Sequence, residues 1–78
     1  MLVVRYFAGA RSAAGVTEEK AEAASLGELL EKVGAGRPRL ADVLRACSFL
    51  VDGLAWKDRA APLPESATVD VLPPFAGG

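Results

Sequence analysis

The alternation of apolar and polar positions predicts strands at both ends of the chain. Residues 2–8 are apolar or aromatic apart from one arginine, so that Leu2, Val4 and Tyr6 would share one face. Residues 68–72 alternate in the same way, and the two prolines that follow end the run because proline cannot donate to a strand ladder. We therefore expect a strand at each end of the folded domain.

Apolar residues that recur three and four positions apart predict two helices in the middle of the chain. The first helix begins at Ser25, since Ser25 and Glu28 match a capping box. Its apolar stripe consists of Leu26, Leu29, Leu30 and Val33. A glycine at position 34 or 36 is expected to end it. The second helix follows Pro38, and the residues that repeat the spacing are Leu40, Val43, Leu44 and Cys47.

The segments between these elements predict shorter and less regular structure. Residues 9–15 are small and polar, which favours a loop or a single helical turn. Residues 17–24 favour a helix by propensity alone, and we assign them to an edge strand. Residues 48–51 and 54–56 flank Asp52-Gly53, a dipeptide typical of a tight hairpin. The order of elements predicts an α+β fold, with a mixed sheet of four to five strands and helices on one face.

Length, charge and residue types narrow the classes of function. With 78 residues, of which 51% are hydrophobic, the chain should form one thin-cored domain without a deep catalytic pocket. Nine basic residues against ten acidic ones argue against a nucleic-acid partner. One cysteine and no histidine leave no material for a disulfide or the usual catalytic triads. No apolar run approaches the ~20 residues that cross a bilayer, so we expect no membrane partner and a cytoplasmic location.

The C-terminal segment is the strongest candidate for chemistry. Pro73 and Pro74 should hold the chain extended, and the four residues beyond them would reach about 13 Å. Gly77 and Gly78 lack Cβ atoms, so the terminal carboxylate could enter a narrow channel in another protein. Because a carboxylate is a poor electrophile, that protein would first have to activate it, most simply as an acyl-adenylate made from ATP. A Gly-Gly ending also occurs by chance, which leaves open a binding module with an inert tail.

Four groups of residues carry a resemblance to a known family. They are Tyr6-Phe7-Ala8 with Arg11 and Gly15, Leu26-Gly27-Glu28-Leu29-Leu30, Leu50-Val51-Asp52-Gly53, and Val71-Leu72-Pro73-Pro74-Phe75-Ala76-Gly77-Gly78. Through them the chain resembles the small sulfur-carrier subunit of molybdopterin synthase and its relatives, including the thiamine-pathway sulfur carrier, over nearly its whole length. The resemblance implies a ubiquitin-like β-grasp domain at residues 1–74 and a flexible reactive tail at residues 75–78.

The family's chemistry implies a protein cosubstrate rather than a self-contained enzyme. A ubiquitin-activating-type adenylyltransferase would use ATP to adenylate the Gly78 carboxylate, and a sulfur donor would convert it to a thiocarboxylate. The tail would then deliver sulfur to a pyranopterin precursor inside the large subunit of molybdopterin synthase, with no cofactor bound to the chain itself. Two alternatives stay open: a carrier for thiamine, cysteine or another sulfur metabolite, and a ubiquitin-like modifier conjugated through Gly78.

Four residues are candidates for partner binding. Pro74, Phe75 and Ala76 precede the reacting glycines, and an aromatic side chain in that position is expected to be a docking contact. Trp56 follows the predicted hairpin and is either a binding anchor or a core residue. Cys47 is expected to be a packed thiol. The three arginines that flank the second helix, Arg37, Arg39 and Arg45, are expected to form a solvated face.

Overall fold

The computed structural model describes residues 1–74, which form a five-stranded sheet and three helices. The strands are β1 (Leu2–Tyr6), β2 (Glu18–Ala21), β3 (Ser48–Val51), β4 (Leu54–Ala55) and β5 (Thr68–Leu72). The helices are α1 (Ala8–Ala14), α2 (Leu26–Gly34) and α3 (Pro38–Leu44). Along the chain the order is β1-α1-β2-α2-α3-β3-β4-β5.

The sheet is mixed, with the strand order β2-β1-β5-β3-β4. β5 runs parallel to β1 and antiparallel to β3, while β2 and β4 pair antiparallel at the two edges. Val69 of β5 lies opposite Val4 on one side and Val51 on the other. The last strand of the chain therefore occupies the centre of the sheet, and the predictions of a mixed sheet and of an edge strand at β2 are confirmed.

One face of the sheet is buried against the helices, as predicted. The core contains Leu2, Val4, Tyr6, Ala10, Leu26, Leu29, Leu30, Val33, Leu40, Leu44, Phe49, Val51, Ala67, Val69 and Val71. All four predicted stripe residues of α2 belong to it. Alternate residues of β1 and β5 supply the other side, because successive side chains of a strand point to opposite faces. None of the helices described has the length and apolar character needed to cross a membrane.

Helix α2 begins and ends at the predicted residues. The Ser25 hydroxyl accepts the Glu28 N–H at 3.2 Å, which satisfies a backbone donor at the first turn. The Glu28 carboxylate accepts the N–H of Ala24, one residue before the cap, rather than closing the usual reciprocal pair. At the other end, a Cβ on Gly34 would lie 3.3 Å from the Cβ of Ala41, so glycine there lets α3 approach closely.

Two local predictions are wrong. Residues predicted as a loop or one turn form α1, a helix of seven residues that buries Ala10 and ends at Gly15, whose φ is 80°. A small buried residue anchors this helix, and such an anchor leaves little hydrophobic pattern in the sequence. Cys47 lies outside α3, which ends at Leu44; its thiol is half-buried, packs against the core and donates to the Val43 carbonyl at 3.2 Å.

Candidate functional site

The candidate site is the end of β5, because the segment that carries the predicted chemistry follows this strand. β5 is bonded on both sides, to β1 and to β3, over almost its full length. Val69 and Val71 are fully buried on the helix side. A strand held in this way is a fixed base, so the direction in which the chain leaves it is set by the fold.

The sheet ends where the two prolines begin. The Val71 carbonyl accepts the N–H of Phe7 at 3.3 Å, and Leu72 lies opposite Ser48 at the start of β3. Pro73 is half-buried and Pro74 is exposed, and neither has an N–H with which to extend the ladder. The chain therefore stops pairing at this end of the sheet, and the last residue described is exposed.

The four predicted tail residues lie outside the part of the chain that the structure describes. They are Phe75, Ala76, Gly77 and Gly78. Their assigned roles, as docking contacts and as the site of the acyl-adenylate and thiocarboxylate, stay predictions. Pro74 is the last residue described, and its exposed position leaves it accessible to a partner.

The open face of the sheet carries an ion pair close to this exit. The Arg5 guanidinium donates through Nε and Nη2 to the two carboxylate oxygens of Asp70, at 2.6 and 2.9 Å. Asp70 is only 8% exposed, although it faces away from the helices. The Asp70 carboxylate raises the pKa of Arg5 above its ordinary value. Arg5 also lies over the ring of Phe7, with its central carbon 5.7 Å from the ring centroid.

Trp56 follows β4, the edge strand on the side of the sheet away from β2. It lies at the same end of the sheet as the point where the chain leaves β5. Its backbone N–H donates to the Phe49 carbonyl at 3.0 Å, and its half-buried indole packs against the core. The indole Nε1 is buried and has no hydrogen-bond partner among residues 1–74. Trp56 is thus semi-buried at the rim of the core, and its role in partner binding stays a prediction.

A second charged cluster ties the sheet to the helices. The Arg37 guanidinium donates twice to the Glu19 carboxylate, at 2.6 and 2.9 Å, and the Tyr6 hydroxyl donates to the same carboxylate. The hydrogen bond from Arg37 lowers the pKa of Glu19. Burial, with the adjacent Glu19 carboxylate, raises the pKa of Tyr6. Arg37 is therefore a structural contact between the connection before α3 and strand β2, and its assignment to a solvated face is wrong.

Sequence reasoning did not find either cluster. Arg5 and Asp70 are 65 residues apart, and Arg37 and Glu19 are 18 apart, so no local spacing relates the partners. An arginine inside an otherwise apolar strand was the one available signal, because such a residue needs a partner if its neighbours are buried. Identifying that partner requires the parallel register of β1 and β5.

Solved structures with the same architecture come from archaea and bacteria. A candidate molybdopterin converting factor subunit 1 from Pyrococcus furiosus is 25% identical, with a TM-score of 0.82 over 95% of this chain and 97% of that one. Small archaeal modifier protein 1 from Methanosarcina acetivorans is 22% identical, with a TM-score of 0.85 over 99% and 95%. Subunit 1 of the molybdopterin-converting factor from Helicobacter pylori, solved with subunit 2, is 22% identical, with a TM-score of 0.74 over 99% and 97%.

The predicted β-grasp fold is confirmed by these likenesses. No curated protein matches the chain at a significant level. The family model described as the ThiS family matches residues 4–78, which includes the last strand, both prolines and the terminal glycines. The chain therefore belongs to the ThiS family of ubiquitin-like sulfur carriers.

Proposed function

We propose that the chain is a sulfur carrier whose reactive group is the carboxylate of Gly78. The observation that carries this proposal is the position of the ending: Pro73-Pro74 leaves the central strand of a ThiS-family β-grasp domain, and the sequence closes on Gly77-Gly78. Two adjacent residues without Cβ atoms suit passage through a narrow channel. The carboxylate is then the group of the tail on which an enclosing enzyme would act.

The proposed chemistry proceeds in two steps, both in partner enzymes. A carboxylate oxygen attacks the α-phosphorus of ATP, which releases pyrophosphate and leaves an acyl-adenylate. A hydrosulfide equivalent from a sulfur donor then attacks the acyl carbon, and AMP departs to leave the thiocarboxylate. We assign the first step to a ubiquitin-activating-type adenylyltransferase that supplies the ATP site. The carrier itself contributes a rigid platform, and the chain acts as a cosubstrate.

The acceptor that we propose is the large subunit of a molybdopterin synthase. The Pyrococcus furiosus relative, whose printed description is that of a molybdopterin converting factor subunit, supports this choice. The Helicobacter pylori protein, which was solved together with its subunit 2, supports a large-subunit partner. We place the reaction in the cytoplasm, where a reducing environment suits the free thiol of Cys47.

A protein modifier is the second candidate function. It is favoured by the likeness in fold to the small archaeal modifier protein of Methanosarcina acetivorans. A modifier would use the same activated Gly78, but the acyl group would pass to lysine amines of target proteins. A carrier for thiamine, cysteine or another sulfur metabolite would differ from the leading proposal only in the acceptor.

Mass spectrometry of the chain isolated from its native cell separates these functions. A carrier predicts a population in which one terminal oxygen is replaced by sulfur, and a modifier predicts Gly78 joined to lysine side chains. Mixing the thiocarboxylate form with a molybdopterin synthase large subunit and the pyranopterin precursor then tests the acceptor. A chain whose terminus is always an unmodified carboxylate, during active cofactor synthesis, would contradict both functions.

A further inference from the structure

A cavity of about 270 Å³ lies at the β3–β4 edge of the sheet, beside Trp56. Its lining includes the apolar side chains of Phe49, Leu50, Ala55 and Trp56 and the two cations Lys57 and Arg59. Arg59 reaches over the Phe49 ring, with its central carbon 5.6 Å from the ring centroid. The volume is just below the range of about 300–1,000 Å³ that is typical of small-molecule sites, and it suits a side chain better than a metabolite.

The charged side chains that line the cavity are both cations, Lys57 and Arg59, and both residues are exposed. Among residues 1–74, no carboxylate lies within 4 Å of Lys57 or Arg59, and no carboxylate lines the cavity. Asp58, between them in sequence, is occupied by the N–H groups of Ala60 and Ala61. Two cations without an acidic partner in this part of the chain fit a group that supplies negative charge.

The cavity opens beside the point where the tail leaves the sheet. Its wall includes Ser48, which lies opposite Leu72, and adjacent strands are about 4.8 Å apart. Four extended residues after Pro74 reach at most about 14 Å. An enzyme that holds the C-terminal carboxylate in its active site is therefore close to this end of the sheet, and the cavity is within its reach.

We propose that the cavity beside Lys57 and Arg59 receives an acidic side chain of the enzyme that activates the terminal carboxylate. The inference rests on the proposed function for its choice of partner. The partner's side chain enters beside Trp56, and Lys57 and Arg59 attract its carboxylate at the mouth of the cavity. Such a contact sets the orientation of the domain over the active site and speeds the encounter electrostatically. The activating enzyme is the occupant because the carrier and modifier functions both require it.

Charge reversal at the mouth of the cavity tests the proposal. The double variant Lys57→Glu, Arg59→Glu should raise the dissociation constant for the adenylating enzyme of the same cell, and the KM for the carrier, about 10-fold to 100-fold. The kcat should change little, because the tail and its carboxylate are untouched. The wild-type dissociation constant should also weaken with added salt, and that of the double variant should weaken less. Calorimetry without ATP gives the affinity independently of turnover.

Matched controls make the result specific. Lys20→Glu reverses an exposed charge on β2, at the far edge of the sheet, and should leave the affinity within about twofold of wild type. Trp56 is the only tryptophan, so a fluorotryptophan-labelled chain gives one ¹⁹F resonance, which should shift when the unlabelled enzyme binds. Inorganic phosphate alone should not reproduce that shift.

The outcomes separate this inference from the proposed function. Wild-type chain that binds the enzyme but never accepts AMP contradicts the carrier chemistry and leaves the affinity test valid. A double variant that binds within twofold of wild type overturns the cavity as a docking site. A resonance unmoved by the enzyme, a phosphate-induced shift that matches that of the enzyme, or no binding by the wild-type chain overturns it as well.

Discussion

At the scale of single residues, buried polar groups depend on contacts with distant parts of the chain. Asp70 lies in the central strand with 12% of its side chain exposed, and both its oxygens accept hydrogen bonds from Arg5. The Arg5 side chain, in contrast, is 47% exposed. Removing Arg5 should therefore lower the free energy of unfolding by a different amount from removing the Asp70 charge. A buried carboxylate is rehydrated less easily than a half-exposed guanidinium.

We predict that Arg5→Met destabilises the fold more than Asp70→Asn does. The first variant leaves Asp70 charged and unpaired and should cost about 2–3 kcal/mol. The second keeps one acceptor and lets Arg5 rehydrate, at a cost of about 1 kcal/mol. Urea unfolding at neutral pH measures both free energies of unfolding. Equal losses, or a larger loss for Asp70→Asn, would show that the pair does not work as described.

Glu19 gives a prediction for the effect of pH on stability. Its hydrogen bond from Arg37 holds the pKa of the carboxyl below the ordinary value of 4.5 in the folded state. The unfolded chain therefore takes up a proton first as the pH falls. The contribution of this group is complete above the unfolded pKa and is lost as the pH falls through the folded pKa. Glu19→Gln should flatten this part of a stability curve measured by urea unfolding from neutral to acidic pH; a curve with an unchanged slope would contradict the assignment.

At the scale of elements, the β3–β4 hairpin shows how a local signal fixes a long-range contact. Asp52 and Gly53 have φ values of 49° and 82°, as the favoured two-residue hairpin turn requires. The Asp52 carboxylate also accepts the N–H of Thr68 at 2.9 Å, and the Asp52 N–H donates to the Thr68 carbonyl. The turn thus holds the first residue of β5 as well as closing its own hairpin.

Substitutions in this turn should differ sharply. Gly53→Ala places a Cβ at a positive φ and should cost about 1–2 kcal/mol. Asp52→Asn keeps an acceptor for Thr68 and tolerates the left-handed conformation, so it should change stability by less than about 0.5 kcal/mol. Thermal unfolding of both variants beside wild type decides the point. An unfolding temperature for Gly53→Ala equal to that of wild type would mean that a side chain at this position does not strain the turn.

Sequence analysis predicted the elements that have a clear hydrophobic periodicity or a local turn signal. It missed the helix that is held in place by one small buried residue. The stripe of α2, its serine cap and the Asp52-Gly53 turn are local patterns, and each is present. Helix α1 is held by Ala10, and Cys47 falls beyond α3 although its spacing continues the stripe. Strand pairing could not be predicted either, because the place of β5 between β1 and β3 depends on packing across the whole domain.

At the scale of the whole molecule, the residues that stabilise the fold are distinct from the residue that is proposed to react. The core and both ion-pair clusters lie within residues 1–74, while the proposed reagent lies at residue 78. Deletion of Gly77 and Gly78 should therefore change the free energy of unfolding by less than about 0.5 kcal/mol, because terminal residues beyond the last element contribute little. The same deletion should abolish sulfur transfer. Urea unfolding checks the first expectation, and a marked loss of stability would place part of the fold in the tail.

The resemblance assigned the proposed chemistry to a single residue, Gly78, and that assignment stays a prediction. The prolines that end the last strand and the glycines that follow them can be recognised from the sequence alone. The cavity beside Trp56 cannot be recognised in this way, because it forms only when β3, β4 and the connection after β4 come together. Surfaces that select a partner are built in this way from several elements, and a single sequence does not mark them.

The most direct test of the central claim is the mass of the chain after incubation with ATP and the adenylating enzyme of the same cell. The account predicts a labile AMP adduct at Gly78, and none on a matched variant that carries one alanine after that residue. The adduct should be replaced by a terminal thiocarboxylate when a sulfur donor is added. An unmodified terminus under all these conditions, or an extended variant that accepts AMP as well as wild type does, would contradict the claim.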